Sequence, residues 1–438
     1  MQRQTTFYDL NNKVLKIIQW MIKGGFLHLL SANIIIQIVG FSGQLFLTRI
    51  VSVESIGILR IVQSYYSILI ILGTFGINMA ILKVCSEDLP HLKKKQIFGF
   101  GFYTSLVINF IIVALFIIVI NLNFLTIDKE TIGYLTIYNL QVPFFVLTSV
   151  VFAYYQAQQK VKFLSNFQSL TKVVVIVLSI FMAIWFGLKG YIYGLLIFNV
   201  IFFVILIILI KKEIVMPTKE ILREIDMKSF FRIGIYSFGT NILWQILLYS
   251  NTILASYMDI SKQQIAFYGM AHLIITTMMM IPMTLNQIMI PYISREEKDV
   301  HKVQILLKSY QKRMVLLVIP LCLLSYIFFP ILIPILLGED YIHSTLYFNI
   351  LLFMFLSWSL FSPKMNVLMA VGKVKYNFYT YVISMIIYLS LNYILMNRYQ
   401  MYGASIAIAI TFFTTIFINN LFYLKYKKQS KELVLKDC

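Results

Sequence analysis

The chain is written in apolar blocks. Between residues 25 and 424, stretch after stretch of about twenty residues is dominated by Leu, Ile, Val, Phe, Met and Tyr, and each gives way to a few polar or basic residues. Roughly 20 helical residues cross a hydrocarbon layer about 30 Å thick, and in that layer backbone amides and carbonyls have only one another as partners. The pattern leaves one fold class, an all-α polytopic membrane protein. A β-barrel would show short segments of alternating polarity instead. Only 13% of the 438 residues are charged, against roughly a quarter in soluble domains. Twelve transmembrane helices are expected, at about 25–47, 56–82, 98–120, 134–156, 164–187, 190–210, 231–257, 264–290, 311–335, 345–370, 376–396 and 402–424. Pro320, Pro330 and Pro334 in the ninth predict a kink or a broken end, because proline has no N–H to give the helix.

The formal net charge of +19 would suggest nucleic acid in a soluble chain. Here the basic residues lie mostly between apolar blocks and read as topology signals, with no nucleic-acid partner. With the N-terminus in the cytoplasm, 29 of the 37 basic residues fall in cytoplasmic segments, against Arg49, Lys129, Lys189, Lys262 and Arg398 on the other side. Both termini are therefore expected in the cytoplasm, with an even number of spans. Residues 11–23 carry Lys13, Lys16 and Lys23 among apolar residues. They fit a short helix facing anionic lipid headgroups, or equally a basic flank of the first span. The start of the chain is too polar for a cleaved signal peptide, so the first span serves as an uncleaved anchor. Cys85, Cys322 and Cys438 follow no metal or disulfide spacing.

An internal echo organises the rest. Ala157-Gln-Gln-Lys160-Val-Lys162 returns as Ala370-Val-Gly-Lys373-Val-Lys375, at an offset of 213. Asn33 and Gln37 in span 1 are answered by Asn241 and Gln245 in span 7, at an offset of 208. Tyr193-Gly194 is answered by Tyr402-Gly403, at an offset of 209. Together these argue for a duplicated six-helix unit. Six spans return the chain to its starting side, so the two copies share one orientation about an axis along the membrane normal. The expected organisation is an N-terminal lobe (1–210), a cytoplasmic linker forming a surface helix (211–230), a C-terminal lobe (231–424) and a basic cytoplasmic tail (425–438). Two parallel six-helix lobes around a central cleft are the plan of an alternating-access transporter.

Ionisable groups inside spans are costly and mark candidate sites. Arg60, Lys172 and Lys364 are the candidates here; each either lines the cleft or snorkels to an interface. Asn33 and Gln37 share a helix face, as do Asn241 and Gln245. They either bind sugar hydroxyls across the cleft or bond helix to helix. Lys83, Lys160, Lys162, Lys373 and Lys375 stand at cytoplasmic turns, where they fix topology and attract an anionic headgroup. No acidic residue lies deep in a span, which counts against a coupling site built on a buried carboxylate and favours an anionic substrate such as a lipid-linked phosphate. No metal cluster, Gly-rich phosphate loop or nucleophile–base spacing points to an enzyme, and no cofactor is expected.

Thr48-Arg49-Ile50-Val51 with Glu54, Gly57 and Leu59, then Leu72-Gly73-Thr74-Phe75-Gly76 through Ala80, resemble the first two helices of polysaccharide exporters. These exporters belong to the superfamily that includes multidrug and toxic-compound extruders. Tyr155 to Lys160, Ile265-Ala266-Phe267-Tyr268, Pro282 with Pro291, Gly372-Lys373 and Tyr402-Gly403-Ala404 continue the resemblance over nearly the whole chain. Its closest branch is similar to the O-antigen or capsule repeat-unit flippases of the bacterial inner membrane. The resemblance implies translocation of an undecaprenyl-pyrophosphate-linked oligosaccharide by alternating access, in the service of surface-polysaccharide (O-antigen or lipopolysaccharide) synthesis. Implied partners are that glycan carrier, anionic lipids, a polysaccharide polymerase and a chain-length regulator. The chain departs from the family where an acidic residue is frequent midway along helix 7: Asn251 stands there. The drive, a coupling ion or the membrane potential, is left open. The rivals are a drug or ion antiporter of the same fold and a membrane-embedded glycan polymerase or ligase.

Overall fold

The computed structural model describes residues 26–122, 125, 128–218, 227–296 and 299–436, with side chains from residue 34 onward except at 161, 227–237, 287–288, 291–292 and 430–436. Regular structure among the described residues is helical. In chain order the elements are α1 (Phe26–Thr48), α2 (Val53–Thr74), α3 (Ile77–Val84), α4 (His91–Asn121), α5 (Lys129–Asn139), α6 (Val142–Ala157) and α7 (Val161–Ile210). There follow α8 (Met227–Tyr257), α9 (Lys262–Arg295), α10 (Val300–Leu337), a 3-10 turn (Glu339–His343), α11 (Ser344–Ala370) and α12 (Val374–Lys436). Eight stretches among the described residues are long and apolar enough to cross a membrane. The molecule is therefore an all-α polytopic membrane protein. Large apolar side chains such as Phe110, Trp185, Ile327 and Tyr393 stand out on its exterior, as a lipid-facing surface requires.

Local chemistry sets the helix ends. Ser52, Asp128, Ser261 and Asp299 each accept a hydrogen bond from a backbone N–H of the helix they precede, satisfying donors that the helix itself cannot. Phe75 and Gly76 both take left-handed backbone (φ 42° and 72°). The expected span 56–82 is therefore two helices, α2 and α3. The span expected at 134–156 is also divided, at Leu140–Gln141 just ahead of Pro143. At the prolines α10 shows no break: it runs on through Pro320, Pro330 and Pro334 and ends at Gly338, whose N–H donates to the Pro334 carbonyl at 2.9 Å.

α7 and α12 are each folded back on themselves. Their helical geometry breaks at Gly187 (φ 60°) and Gln400 (φ 51°). A Cβ on Gly190 would lie 2.1 Å from the Met182 carbonyl oxygen, and one on Gly403 would lie 2.0 Å from that of Leu395. Only glycine lets the two arms of each hairpin touch there. The two breaks stand at the same offset as the lysine turns of the sequence echo. So do Gly190 and Gly403, and so do the left-handed turns at Gln159 (φ 60°) and Gly372 (φ 72°). Gly190 is thus the geometric counterpart of Gly403. Gly194, which the dipeptide match pairs with it, instead faces Ser179 on the opposite arm.

α1 lies along α7, α4 and α3 pack on α6, and α11 packs on α9, α10 and α12. α2 joins these groups, because it packs on α5 and α6 and also on α8 and α9. The described part of the expected linker helix is not helical: residues 211–218 are a turn followed by irregular chain. Side chains and backbone pin it to the bundle instead. Glu213 accepts from the Tyr154 hydroxyl at 3.1 Å and lies 3.4 Å from the Lys95 ammonium, and the Val215 carbonyl presses on Gly99. The surface helix expected at 11–23 lies outside the described residues. The basic tail continues α12 as helix through Lys436.

Candidate substrate cavity

α2 places Arg60, Gln63, Ser64 and Ser67 on one stripe, at helical spacings of three and four. The stripe faces a space of about 290 Å³ between α1, α2, α8 and α9, which Gln37, Gln44, Lys172 and His272 also line. This junction shares Gly40, Gln44, Gln63, Tyr66, Tyr138 and Lys172 with a larger chamber of about 480 Å³, bounded by α1, α2, α5, α6 and α7.

Arg60 is buried, and its environment is neutral. The guanidinium donates to Gln63 Oε1 at 3.0 Å, Gln44 Oε1 at 3.1 Å and Met270 Sδ at 2.9 Å, while its Nε has no partner. Gln44 in turn donates to the Tyr191 hydroxyl at 3.2 Å, which holds its oxygen toward the arginine. The arginine stem lies over Gly269 of α9, where a Cβ would come within 2.5 Å of Arg60 Cγ. Lys172 reaches the same region from α7, its Cε opposite Gly40 of α1. His272 stacks on Tyr268 with ring centroids 5.8 Å apart, and its buried Nε2 has no partner. Among the described residues no Asp or Glu lines either space. Two cationic side chains without a described carboxylate beside them give the cavity a positive electrostatic character.

The sequence candidates divide accordingly. Arg60, Lys172 and Gln37 meet at the junction, where Gln37 donates to Thr277 Oγ1 at 3.4 Å and bonds α1 to α9. The Asn33 side chain lies outside those described. Asn241 is exposed, and neither it nor Gln245 lines the two spaces. Lys364 sits apart, between α11 and α12: it donates to Asn420 Oδ1 at 2.6 Å and lies 5.9 Å above the Tyr423 ring. Lys83, Lys160, Lys162 and Lys375 are exposed at helix ends and turns, and Lys373 is half-buried. Lys160 and Lys375 lie over the rings of Tyr155 and Tyr376. Sequence reasoning missed Gly269, His272, Tyr138 and Gln141 as site residues. The spacing of Gln168, Thr171 and Lys172 was the one legible sign that α7 turns a polar face inward.

Asn251 heads a separate, neutral cluster. It donates to the Tyr268 hydroxyl at 2.8 Å and accepts from that of Tyr388, which also bonds Ser250 at 2.8 Å. Polar bonds also link helix ends: α9 to α2 and to the start of α5, and the α1–α2 turn to α10. The Lys262 ammonium meets Asp128 at 3.1 Å and Glu130 at 3.8 Å, Gln263 bonds Glu54, and Arg49 bonds the Pro334 and Ile335 carbonyls. Burial opposes ionisation of Asp128, but hydrogen bonds from Thr131 and Lys262 outweigh it and hold the carboxyl below the usual carboxylate range.

No curated protein matches the chain in sequence. Its fold is similar to that of solved transporters. An inward-facing multidrug resistance MATE family transporter of the MOP superfamily superposes with a TM-score of 0.70 at 14% identity, covering 91% of this chain and 96% of that one. The lipid II flippase MurJ, in an inward closed conformation, gives 0.73 at 16% identity, covering 91% and 87%. A eukaryotic MATE transporter, AtDTX14, gives 0.63 at 14% identity, covering 92% and 98%. At these identities the likeness establishes the fold shared with MATE and MurJ transporters. The family described as polysaccharide biosynthesis protein matches residues 46–346, more than two thirds of the chain, and the chain belongs to that family.

Proposed function

We propose that the protein is an alternating-access flippase of the bacterial inner membrane that carries a polyprenyl-pyrophosphate-linked oligosaccharide across the bilayer for surface-polysaccharide synthesis. Its arrangement is two parallel lobes, α1–α7 and α8–α12, together twelve spans when α2–α3 and α5–α6 each count as one and the hairpins α7 and α12 as two, and both termini in the cytoplasm. The observation that carries the proposal is the pairing of Arg60 with Lys172 in a cavity that no described carboxylate lines. Such a cavity attracts a pyrophosphate and repels an organic cation. Membership of the polysaccharide biosynthesis family supports the same substrate class. Transport makes and breaks no bond in the cargo.

A drug or ion antiporter is the second reading, favoured by the number of MATE transporters among the solved structures of this fold, one of them a multidrug resistance transporter. The test is leaflet transfer in liposomes. Reconstituted protein is expected to move a lipid-linked oligosaccharide to the opposite leaflet, and Lys172→Gln is expected to slow that transfer at normal protein levels. Transfer no faster than in protein-free liposomes, together with efflux of ethidium, would establish the antiporter instead.

A further inference from the structure

The chamber and the junction differ in chemistry. The junction holds Arg60 and Lys172. The chamber, apart from Lys172 at their shared wall, is neutral and built from rings and hydrogen-bonding groups. We infer that it seats the first neutral sugar rings of the cargo, within the N-terminal set of helices; this inference rests on the anionic-carrier reading above.

Four aromatic pairs border the chamber edge to face: Tyr66–Tyr138 (centroids 5.0 Å apart), Tyr66–Phe145 (6.2 Å), Phe144–Phe203 (5.3 Å) and Phe167–Phe202 (6.3 Å). An edge-to-face pair covers the face of only one of its rings, so each pair leaves a ring whose faces its partner does not use. Between the rings lie polar groups whose donors are mostly committed to the protein. Asn199 Nδ2 donates to Gln141 Oε1 at 2.8 Å, and Gln141 Nε2 donates to the Tyr138 carbonyl at 3.1 Å. Thr148 and Ser149 each donate to a carbonyl of their own helix at 2.7 Å. The hydroxyl oxygens that remain are acceptors, while the Thr171 hydroxyl is buried without a partner. A wall of hydroxyl acceptors and amides alternating with aromatic rings complements a ligand with apolar faces and a rim of hydroxyls, which describes a pyranose. A polyprenyl tail would leave the acceptors unmet, and each unmet buried polar group is costly. Lys172 and the junction then hold the pyrophosphate at the reducing end. At about 480 Å³ the chamber lies within the ~300–1,000 Å³ of small-molecule sites, suited to a short run of rings and too small for a polymer.

The experiment is equilibrium binding to the full-length protein in nanodiscs. The probes are bare undecaprenyl pyrophosphate and a panel of the same carrier bearing lactose, maltose or N,N′-diacetylchitobiose. At least one glycosylated carrier is expected to bind the wild type about tenfold more tightly than the bare carrier. Thr148→Trp, which fills the chamber, and Asn199→Ala, which removes an amide without adding bulk, are expected to abolish that preference, and Lys172→Gln to weaken every carrier. Equal binding of bare and glycosylated carriers by the wild type overturns the sugar seat and leaves the anion site standing. So does a preference that survives in both chamber variants. Failure of every carrier to bind the wild type overturns the anionic-carrier reading and the sugar seat together.

Discussion

Replacing Arg60 by methionine separates a functional residue from a structural one, because the two roles predict opposite signs. The guanidinium is more than nine-tenths buried and faces no carboxylate among the described residues. Burying an ion costs several kcal/mol even after relaxation. The compensation visible here is two good hydrogen bonds to neutral amides, at 3.0 and 3.1 Å. Hydrogen bonds involving a charged group contribute about 1.5–3 kcal/mol each, so they roughly cancel the burial cost without exceeding it. Methionine keeps the length and apolar stem of the side chain. Gln44 keeps its bond to Tyr191, and Gln63 lines the cavity, where water replaces its lost partner. Arg60→Met is therefore expected to unfold at the same temperature as the wild type or higher, with a gain of up to about 2 kcal/mol. Its affinity for undecaprenyl pyrophosphate is expected to fall. Losing one partner of a confined charge pair costs about 3 kcal/mol, which corresponds to a weakening of roughly 150-fold. Thermal unfolding and carrier binding in the same nanodisc preparation give both numbers. A variant that melts well below the wild type, or one that binds the carrier normally, would refute the assignment of Arg60 as an anion receptor held at the expense of stability.

Four further outcomes rest on the same geometry. Gly269→Ala puts a Cβ 2.5 Å from Arg60 Cγ and 2.7 Å from its Cδ; the flexible stem must move, and carrier affinity is expected to drop about tenfold, with no added loss on top of Arg60→Met. Lys364→Met, measured in the same binding assay, is expected to leave carrier affinity within about twofold, while melting shows a loss of about 1–2 kcal/mol for the bond to Asn420. The Lys262–Asp128 clasp contributes less than about 1 kcal/mol, since both groups are partly exposed. Because the folded carboxyl is depressed from 3.8, that contribution is complete above the ordinary value and disappears as pH falls through the lower folded one; Lys262→Met should shrink this acid-range dependence in pH-resolved melting curves, leaving the part that the Thr131 bonds hold. Gln400→Gly is expected to melt close to the wild type, because relief of about 1–2 kcal/mol of left-handed strain offsets the loss of the bond to Gln264, whereas Gln400→Val loses the bond and adds strain.

Membrane embedding, the positions of most apolar helices and the recurrence of the lysine turns were all written in the chain, because hydropathy and turn chemistry are local. What one residue meets in another helix was not. The stripe from Arg60 to Ser67 is visible as spacing, yet nothing in it says that Gly269 lies opposite. The reason is that Gly269 acts by what it lacks, and its partner stands on a helix from the other half of the chain. The span-7 amides, Asn241 and Gln245, lie away from the two spaces for a related reason. Trp244 stands between Asn241 and Gln245 and packs with Trp358, Tyr381 and Phe412, so part of that α8 surface points into its own lobe. Lys364 and Lys172 look alike in sequence, each about two turns inside a span, yet Lys172 lines the cavity while Lys364 bonds Asn420 away from it. The breaks inside α2–α3 and α5–α6 escaped a reading by hydropathy, since a left-handed Phe75 and a turn at Leu140 leave the apolar run intact.

The two hairpins bend at matching places with different hardware. Gly187 reaches φ 60° without cost and has open space where a Cβ would stand, so its bend carries no side-chain strain. Gln400 adopts φ 51° against its own Cβ, and its side chain is held by Gln264 at the start of α9. That bend is a loaded and tethered joint, coupled to the helix that also carries Lys262, Gly269 and His272. A displacement of α9 therefore reaches the hairpin of α12 through this bond, while the α7 hairpin is held instead by α1, through Gln44 and Tyr191. Two bends 213 residues apart thus differ in mechanics, one strained and moored to α9, the other unstrained and moored to α1.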